Sequence, residues 1–186
     1  MTNISRKEAK RMLRQRIVRT FTPFERKAIL DELWFYFDHE DRFDAEDIAF
    51  YPSEIRKEML SQPAPHNPDD PKYDFIIAER VSPHLYLGVK NEFLLRILRE
   101  EELGITEITG ENELLEACLC CRYCTISPGI EGKGESCQVC GWINGAKQTG
   151  DLSLDEAQSN FRKFGAIDRR IVALVDPDGK EKYERS

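Results

Sequence analysis

The chain has no apolar run long enough to cross a bilayer, and no charged-then-apolar leader follows Met1. Without a membrane span or a secretory signal, the expected compartment is the cytoplasm, where thiols stay reduced. An internal repeat, a phosphate-binding glycine loop and a nameable Ser/Cys–His–Asp arrangement are also missing, which removes the common nucleotide-binding and nucleophile signatures. Positive charge is scarce beyond residue 30. Residues 1–30 hold nine Lys and Arg against two Glu, about +7, so the other 156 residues carry 18 against 32, about −14, for a formal net charge of −7. An acidic body repels nucleic-acid phosphates and suits a basic protein partner. Nucleic acid is therefore the less expected partner, and a membrane is not expected.

What the chain does have is cysteine, with all six residues lying between Cys118 and Cys140. Cys118-x-x-Cys121 and Cys137-x-x-Cys140, fifteen residues apart, have the spacing at which two turns bring four thiolates around one Zn²⁺. Cys121-x-x-Cys124 is a competing first pair, with twelve residues before Cys137. The two outer pairs share a longer pattern, because each is followed after one residue by an aromatic, Tyr123 or Trp142. On that repeat the expected ligands are Cys118, Cys121, Cys137 and Cys140, with Cys120 inside the first turn and Cys124 beyond it. The glycine-rich residues 128–134 suit a hairpin tip between the halves. Disulfides are disfavoured because the cysteines are local and no secretory signal is present, whereas a redox Cys-x-x-Cys pair is the alternative use of the same thiols. Four thiolates close the zinc shell, and Lewis-acid catalysis needs an open position, so the expected zinc is structural and no enzyme is expected.

Cys118-Leu-Cys-Cys121, Tyr123, Thr125, Cys137-Gln-Val-Cys140 and Trp142 resemble the cysteine-rich domain family named for its Cys-Pro-Cys-Cys signature. The run from Leu152 to Phe161, with Phe164-Gly-Ala166, resembles that family's closing helix, so the likeness covers about residues 114 to 168. Two positions depart from the pattern: Leu119 stands where the family has proline, and Arg122 where it usually has a small residue. The family is mainly bacterial, its members are often encoded among toxin and immunity genes, and no catalytic activity is attached to the domain. The resemblance thus implies an immunity protein that binds a cognate toxin. An acidic inhibitor would mimic the phosphate charge of a nucleic-acid substrate and occlude a basic cleft. The alternative is a zinc-ribbon nucleic-acid-binding or regulatory protein, for which Lys7, Lys10, Arg11 and Arg14 form a basic helical stripe. Around the cysteines themselves, residues 111–140 carry only Arg122 and Lys133 against five Glu.

The expected fold class is α+β: a helical and mixed domain over residues 1–110, then a small zinc-ribbon-like domain over 111–186 with a helix and a terminal hairpin. Ser5-Arg-Lys-Glu8 and Thr22-Pro-Phe-Glu25 are helix-start patterns, predicting helices to about Arg19 and Phe37. The second carries Phe35 and Tyr36 beside its buried stripe, an aromatic surface that either packs or binds. Acids then crowd residues 38–47 around His39, without the alternation a calcium loop needs. A short helix is expected over 53–60, an irregular loop over the four-proline stretch 62–71, and strands over 73–78, 85–87 and 105–108. A helix is expected from Asn91 to Leu103. Ser153-Leu-Asp-Glu156 opens another ending at Gly165, and Ile171–Val175 with Lys180–Tyr183 reads as the hairpin.

Overall fold

A computed structural model describes residues 2–39, 51–80, 85–100, 104–129, 134–145 and 152–186; of Asp38 and His39 only the helical backbone is described. The acidic stretch beyond His39 lies outside the described residues. The fold is mixed α and β, with helices and, among the described residues, two small two-stranded sheets.

The chain divides into two compact units, one of residues 7–85 and one of residues 1–6 with 86–186. The boundary therefore falls near residue 85 and not after residue 110, and strand pairing is the reason. Strand β1 (Thr2–Ser5) runs parallel to β2 (Ile105–Thr109), with Ile4 opposite Ile108, so the segment before residue 110 is built into the cysteine-bearing unit together with the first residues of the chain. Arg6, 5 % exposed, fixes the arrangement. Its guanidinium forks onto the Glu113 carboxylate and donates to Asn91 Oδ1 at 2.7 Å and Asn112 Oδ1 at 3.1 Å. A buried cation whose three nitrogens all donate to partners is tolerated where an unpaired one would not be.

The unit of residues 7–85 is helical. Among the described residues its helices are α1 (Arg6–Val18, which begins in the other unit), α2 (Pro23–His39), α3 (Ser53–Ser61) and α4 (Asp74–Arg80). Thr22 and Glu25 cap α2 reciprocally: the Thr22 amide donates to Glu25 Oε2 at 2.8 Å and the Glu25 amide to Thr22 Oγ1 at 3.3 Å. Leu30, Leu33 and Trp34 of α2 meet Ile55 and Met59 of α3 and Tyr73, Ile76 and Ile77 in one core, with Trp34 edge-on to Tyr73 at 6.0 Å. The strand expected over 73–78 is instead the helix α4, preceded by a 3₁₀ turn, Pro71–Tyr73. Asp70 Oδ1 accepts from the Lys72 amide at 3.0 Å, and Pro71 is preset for a helical start. Tyr73, Ile76 and Ile77 then bury one helical face, so tertiary burial overrides β-branched propensity.

The four-proline loop is irregular, as expected, but tied at both ends. Arg26 of α2, 6 % exposed, donates to the Pro68 and Asp70 carbonyls at 3.0 and 3.2 Å and pairs with Asp74 at 2.8 Å. Glu58 of α3, 7 % exposed, accepts from the His66 amide at 2.9 Å, the Lys72 ammonium at 2.7 Å and the Tyr73 hydroxyl.

In the cysteine-bearing unit, α5 (Asn91–Arg99) packs against β2, and β3 (Glu116–Ala117) pairs antiparallel with β4 (Cys124–Ile126). Residues 85–87, expected as a strand, form a turn. The capping box at Ser153 and Glu156 is formed, and α6 (Leu154–Phe164) ends at Gly165 in the left-handed region at φ 81°. The expected terminal hairpin is replaced by a 3₁₀ turn, Arg169–Ile171, and a single helical turn, α7 (Gly179–Lys182). The apolar residues at 171–175 do not pair with a neighbouring strand; they lie against the second cysteine turn, which their next residue also hydrogen-bonds.

Candidate metal centre

Each Cys-x-x-Cys pair sits on a tight turn, and the two turns have the same backbone pattern. In the first, the Cys118 amide donates to the Tyr123 carbonyl at 2.8 Å and the Arg122 amide to the Cys118 carbonyl at 2.9 Å. In the second, the Cys137 amide donates to the Trp142 carbonyl at 2.8 Å and the Gly141 amide to the Cys137 carbonyl at 2.7 Å. The residue after the second cysteine is left-handed in both, Arg122 at φ 69° and Gly141 at φ 81°. The shared Cys-x-x-Cys-x-aromatic pattern thus has a backbone meaning: the carbonyl of the aromatic residue closes the turn that carries both sulfurs.

The turns face each other. Cys118, Cys121, Cys137 and Cys140 are all buried, and their sulfurs lie within 4.8 Å of one another. Cys118 Sγ stands 3.6 Å from Cys140 Sγ, and Cys121 Sγ stands 3.5 Å from Cys137 Sγ. Disulfide sulfurs would be about 2 Å apart. A tetrahedral zinc with bonds of about 2.3 Å has sulfur–sulfur edges of about 3.8 Å, close to the observed separations. The donor set therefore fits a metal ion, and four soft sulfurs are the chemistry of zinc or iron–sulfur sites. The structure brings together all four expected ligands. Cys124 lies outside the cluster, on β4, with its amide donating to the Glu184 carbonyl at 2.9 Å. Cys120 is buried inside the first turn and is not one of the four clustered sulfurs.

Protons are unevenly shared among the thiols. Hydrogen bonds from Cys118, Cys121 and Cys140, with a further one from Thr125 Oγ1 at 3.1 Å, hold the Cys137 thiol well below the ordinary range. Cys121 and Cys140 are pushed up, first by their hydrogen bonds to Cys118. Cys118 is also lowered, first by its hydrogen bond with Cys121, and a cation binding the four sulfurs would displace the protons they still hold.

Residues 116–182 match the Cysteine-rich CPCC family. No curated protein and no solved structure matches the chain. The CPCC match reaches past the closing helix to take in the turn and α7, the stretch whose expected hairpin is absent. At the family's proline position the Leu119 amide points to Asn144 Oδ1 at 3.5 Å, and the Leu119 carbonyl accepts from Gln158 of α6 at 3.1 Å. The second cysteine turn is held from the other side, where the Asp176 amide donates to the Gln138 carbonyl at 2.8 Å and the Ile167 amide to the Cys140 carbonyl at 2.9 Å. Beside it lies an apolar groove of about 1000 Å³, walled by Ile143, Leu152, Ile167, Ile171, Leu174 and Val175.

Two side chains around the centre carried no signal in the spacing pattern. Gln138, a middle residue of the second turn, accepts from the Tyr183 hydroxyl at 2.6 Å, although the two are far apart in sequence. Burial, followed by the charges of Asp176 and Cys137, pushes the Tyr183 phenol up to about 12. The basic stripe of α1 is largely engaged: Arg14 pairs with Glu79 at 3.1 Å, Arg11 pairs with Glu8, and Lys10 is 8 % exposed. Lys7 is exposed. Among the described residues, no helix is long and apolar enough to cross a membrane.

Proposed function

We propose that the chain is a cytoplasmic immunity protein, a non-catalytic binding protein that neutralises a cognate toxin by occluding its active site, with Zn²⁺ at the four cysteines as a structural staple. The observation that carries this reading is the CPCC match over a closed set of four buried sulfurs. Such a set gives a metal no open position for substrate, so its role is to fold a binding surface. The toxin is a nucleic-acid-targeting effector with a basic cleft, a choice supported by the acidic balance beyond residue 30. Glu92, Glu111 and Glu184 line a depression of about 460 Å³, with Leu114 91 % exposed beside it. An acidic recess with an apolar rim suits basic side chains flanked by apolar contacts. The engagement of Arg14 and Arg11 within their own unit supports a protein partner over nucleic acid.

Co-expression with the products of the genes that neighbour this one, each checked for toxicity on its own, tests the proposal. Protection of cells together with a copurifying complex is the expected result. Failure to protect, combined with steeply salt-dependent DNA or RNA binding that vanishes when Lys7, Lys10, Arg11 and Arg14 are neutralised, would transfer the function to nucleic acid.

A further inference from the structure

Residues 182–186 lie across both cysteine turns. The Cys124 amide donates to the Glu184 carbonyl at 2.9 Å, and the Ser186 amide donates to the Arg122 carbonyl at 2.9 Å. Between them Arg185 bridges antiparallel to Tyr123, with its guanidinium 5.6 Å above the Tyr123 ring. Those contacts all fall on the three residues that follow Cys121. One step earlier, the buried Tyr183 hydroxyl crosses to Gln138 in the other turn. The opposite edge of the same segment holds the start of α5: Tyr183 bridges Val89, and the Lys90 amide donates to the Lys182 carbonyl at 2.8 Å. Lys90 is the cap residue of α5, its carbonyl accepting from the Phe93 and Leu94 amides at 3.1 Å.

We propose that residues 182–186 form a metal-gated strap, docked when the two cysteine turns are clamped together and released, with the start of α5, when they are not. Its acceptors and donors come from two separate turns. Glu184, Arg185 and Ser186 need the first turn in its left-handed form at Arg122, while Tyr183 needs Gln138 of the second turn at a fixed distance from it. Four metal–sulfur bonds would tie the first turn directly to the second, whereas the backbone bonds from Ile167 and Asp176 anchor only the second turn and the bond from Gln158 only the first. Strap docking and metal retention are then two ligands of one conformation, and each strengthens the other by the same factor. The inference rests on a metal being held by the four thiolates and is independent of the partner's identity.

The test uses the full chain loaded with zinc, its metal content measured first. Hydrogen exchange is followed at the Lys90, Cys124 and Ser186 amides before and after chelation, with the Arg26 amide in α2 as control. The three strap amides are expected to lose protection together while Arg26 keeps it. Tyr183→Phe is expected to weaken zinc retention about 5- to 20-fold in chelator competition, while leaving unfolding of the chelated chain unchanged. Gln138→Leu should reproduce that loss, and the double variant should add little to it. Strap amides that stay protected after chelation would overturn the proposal, as would a Tyr183→Phe chain that holds zinc as tightly as the parent. A chain that holds no metal would also overturn it, and the metal content separates that result from a strap that is simply uncoupled.

Discussion

Replacing Gly141 is expected to damage the fold, whereas introducing glycine at the equivalent position of the other turn is expected to improve it. Both residues occupy the left-handed region, Gly141 at φ 81° and Arg122 at φ 69°, a conformation that costs a side-chain-bearing residue about 1–2 kcal/mol. At Gly141 there is a second cost. A Cβ there would lie 2.4 Å from Ile171 Cδ1, so the Ile171 side chain has to move. Ile171 borders the apolar groove and has room to yield, which keeps the overpacking term near its lower end of about 1 kcal/mol. Gly141→Ala should therefore destabilise the zinc-loaded chain by about 2–3 kcal/mol. Arg122→Gly removes the left-handed strain and adds unfolded-chain entropy of up to about 1 kcal/mol, for a net gain of about 0.5–1 kcal/mol. The exposed contact from Arg122 Nη2 to Ser186 Oγ, at 3.3 Å, offsets little of that gain. Denaturant unfolding at fixed free zinc measures both changes, since zinc excess alone shifts apparent stability. A Gly141→Ala chain within about 0.5 kcal/mol of the parent would refute the reasoning, as would a clearly destabilised Arg122→Gly chain.

The Thr125 hydroxyl donates to Cys137 Sγ at 3.1 Å, so Thr125→Val should speed zinc loss to a chelator about tenfold, while Thr125→Ser should restore retention. Burial alone would raise the Glu58 carboxyl, but hydrogen bonds from Lys72, Tyr73 and the His66 amide outweigh it and hold the group below its ordinary value of 4.5. The folded carboxylate gives up its proton more readily than the unfolded one, so its contribution is complete above pH 4.5 and is lost as pH falls through the lower folded value. The unfolding free energy should therefore decrease as pH falls through that acid range in the parent and be flatter in Glu58→Gln, which should cost about 1–3 kcal/mol at pH 7. Chelation should open residues 114–145 to protease while α1 and α2 stay resistant, and first cleavage within residues 1–39 would show that the helical unit depends on the metal.

The cysteine turns were legible because their information is local: the spacing and the trailing aromatic both lie within six residues of Cys118 or Cys137. The capping boxes at Thr22 and Ser153 were legible for the same reason. What escaped depended on distant partners. Ile76 and Ile77 have a strand-like composition, yet the buried surface of α2 and α3 recruits them into a helix. Parallel pairing of residues 2–5 with 105–109, which moves the unit boundary, leaves no mark in either segment. Ile171-Val-Ala-Leu-Val175 is strongly strand-like, but it meets the second cysteine turn, and Gly179 packs with its Cβ position 3.0 Å from Val139 of that turn. The role of Tyr183 depends on a hydrogen bond 45 residues away in sequence.

The most direct test of the account is elemental analysis of the purified chain and of its single Cys→Ser variants. One zinc per chain is the predicted result, lost in Cys118→Ser, Cys121→Ser, Cys137→Ser and Cys140→Ser, whose sulfurs cluster within 4.8 Å, and retained in Cys124→Ser. A fully folded chain without metal would contradict the account, as would zinc that disappears in Cys124→Ser but persists in Cys118→Ser.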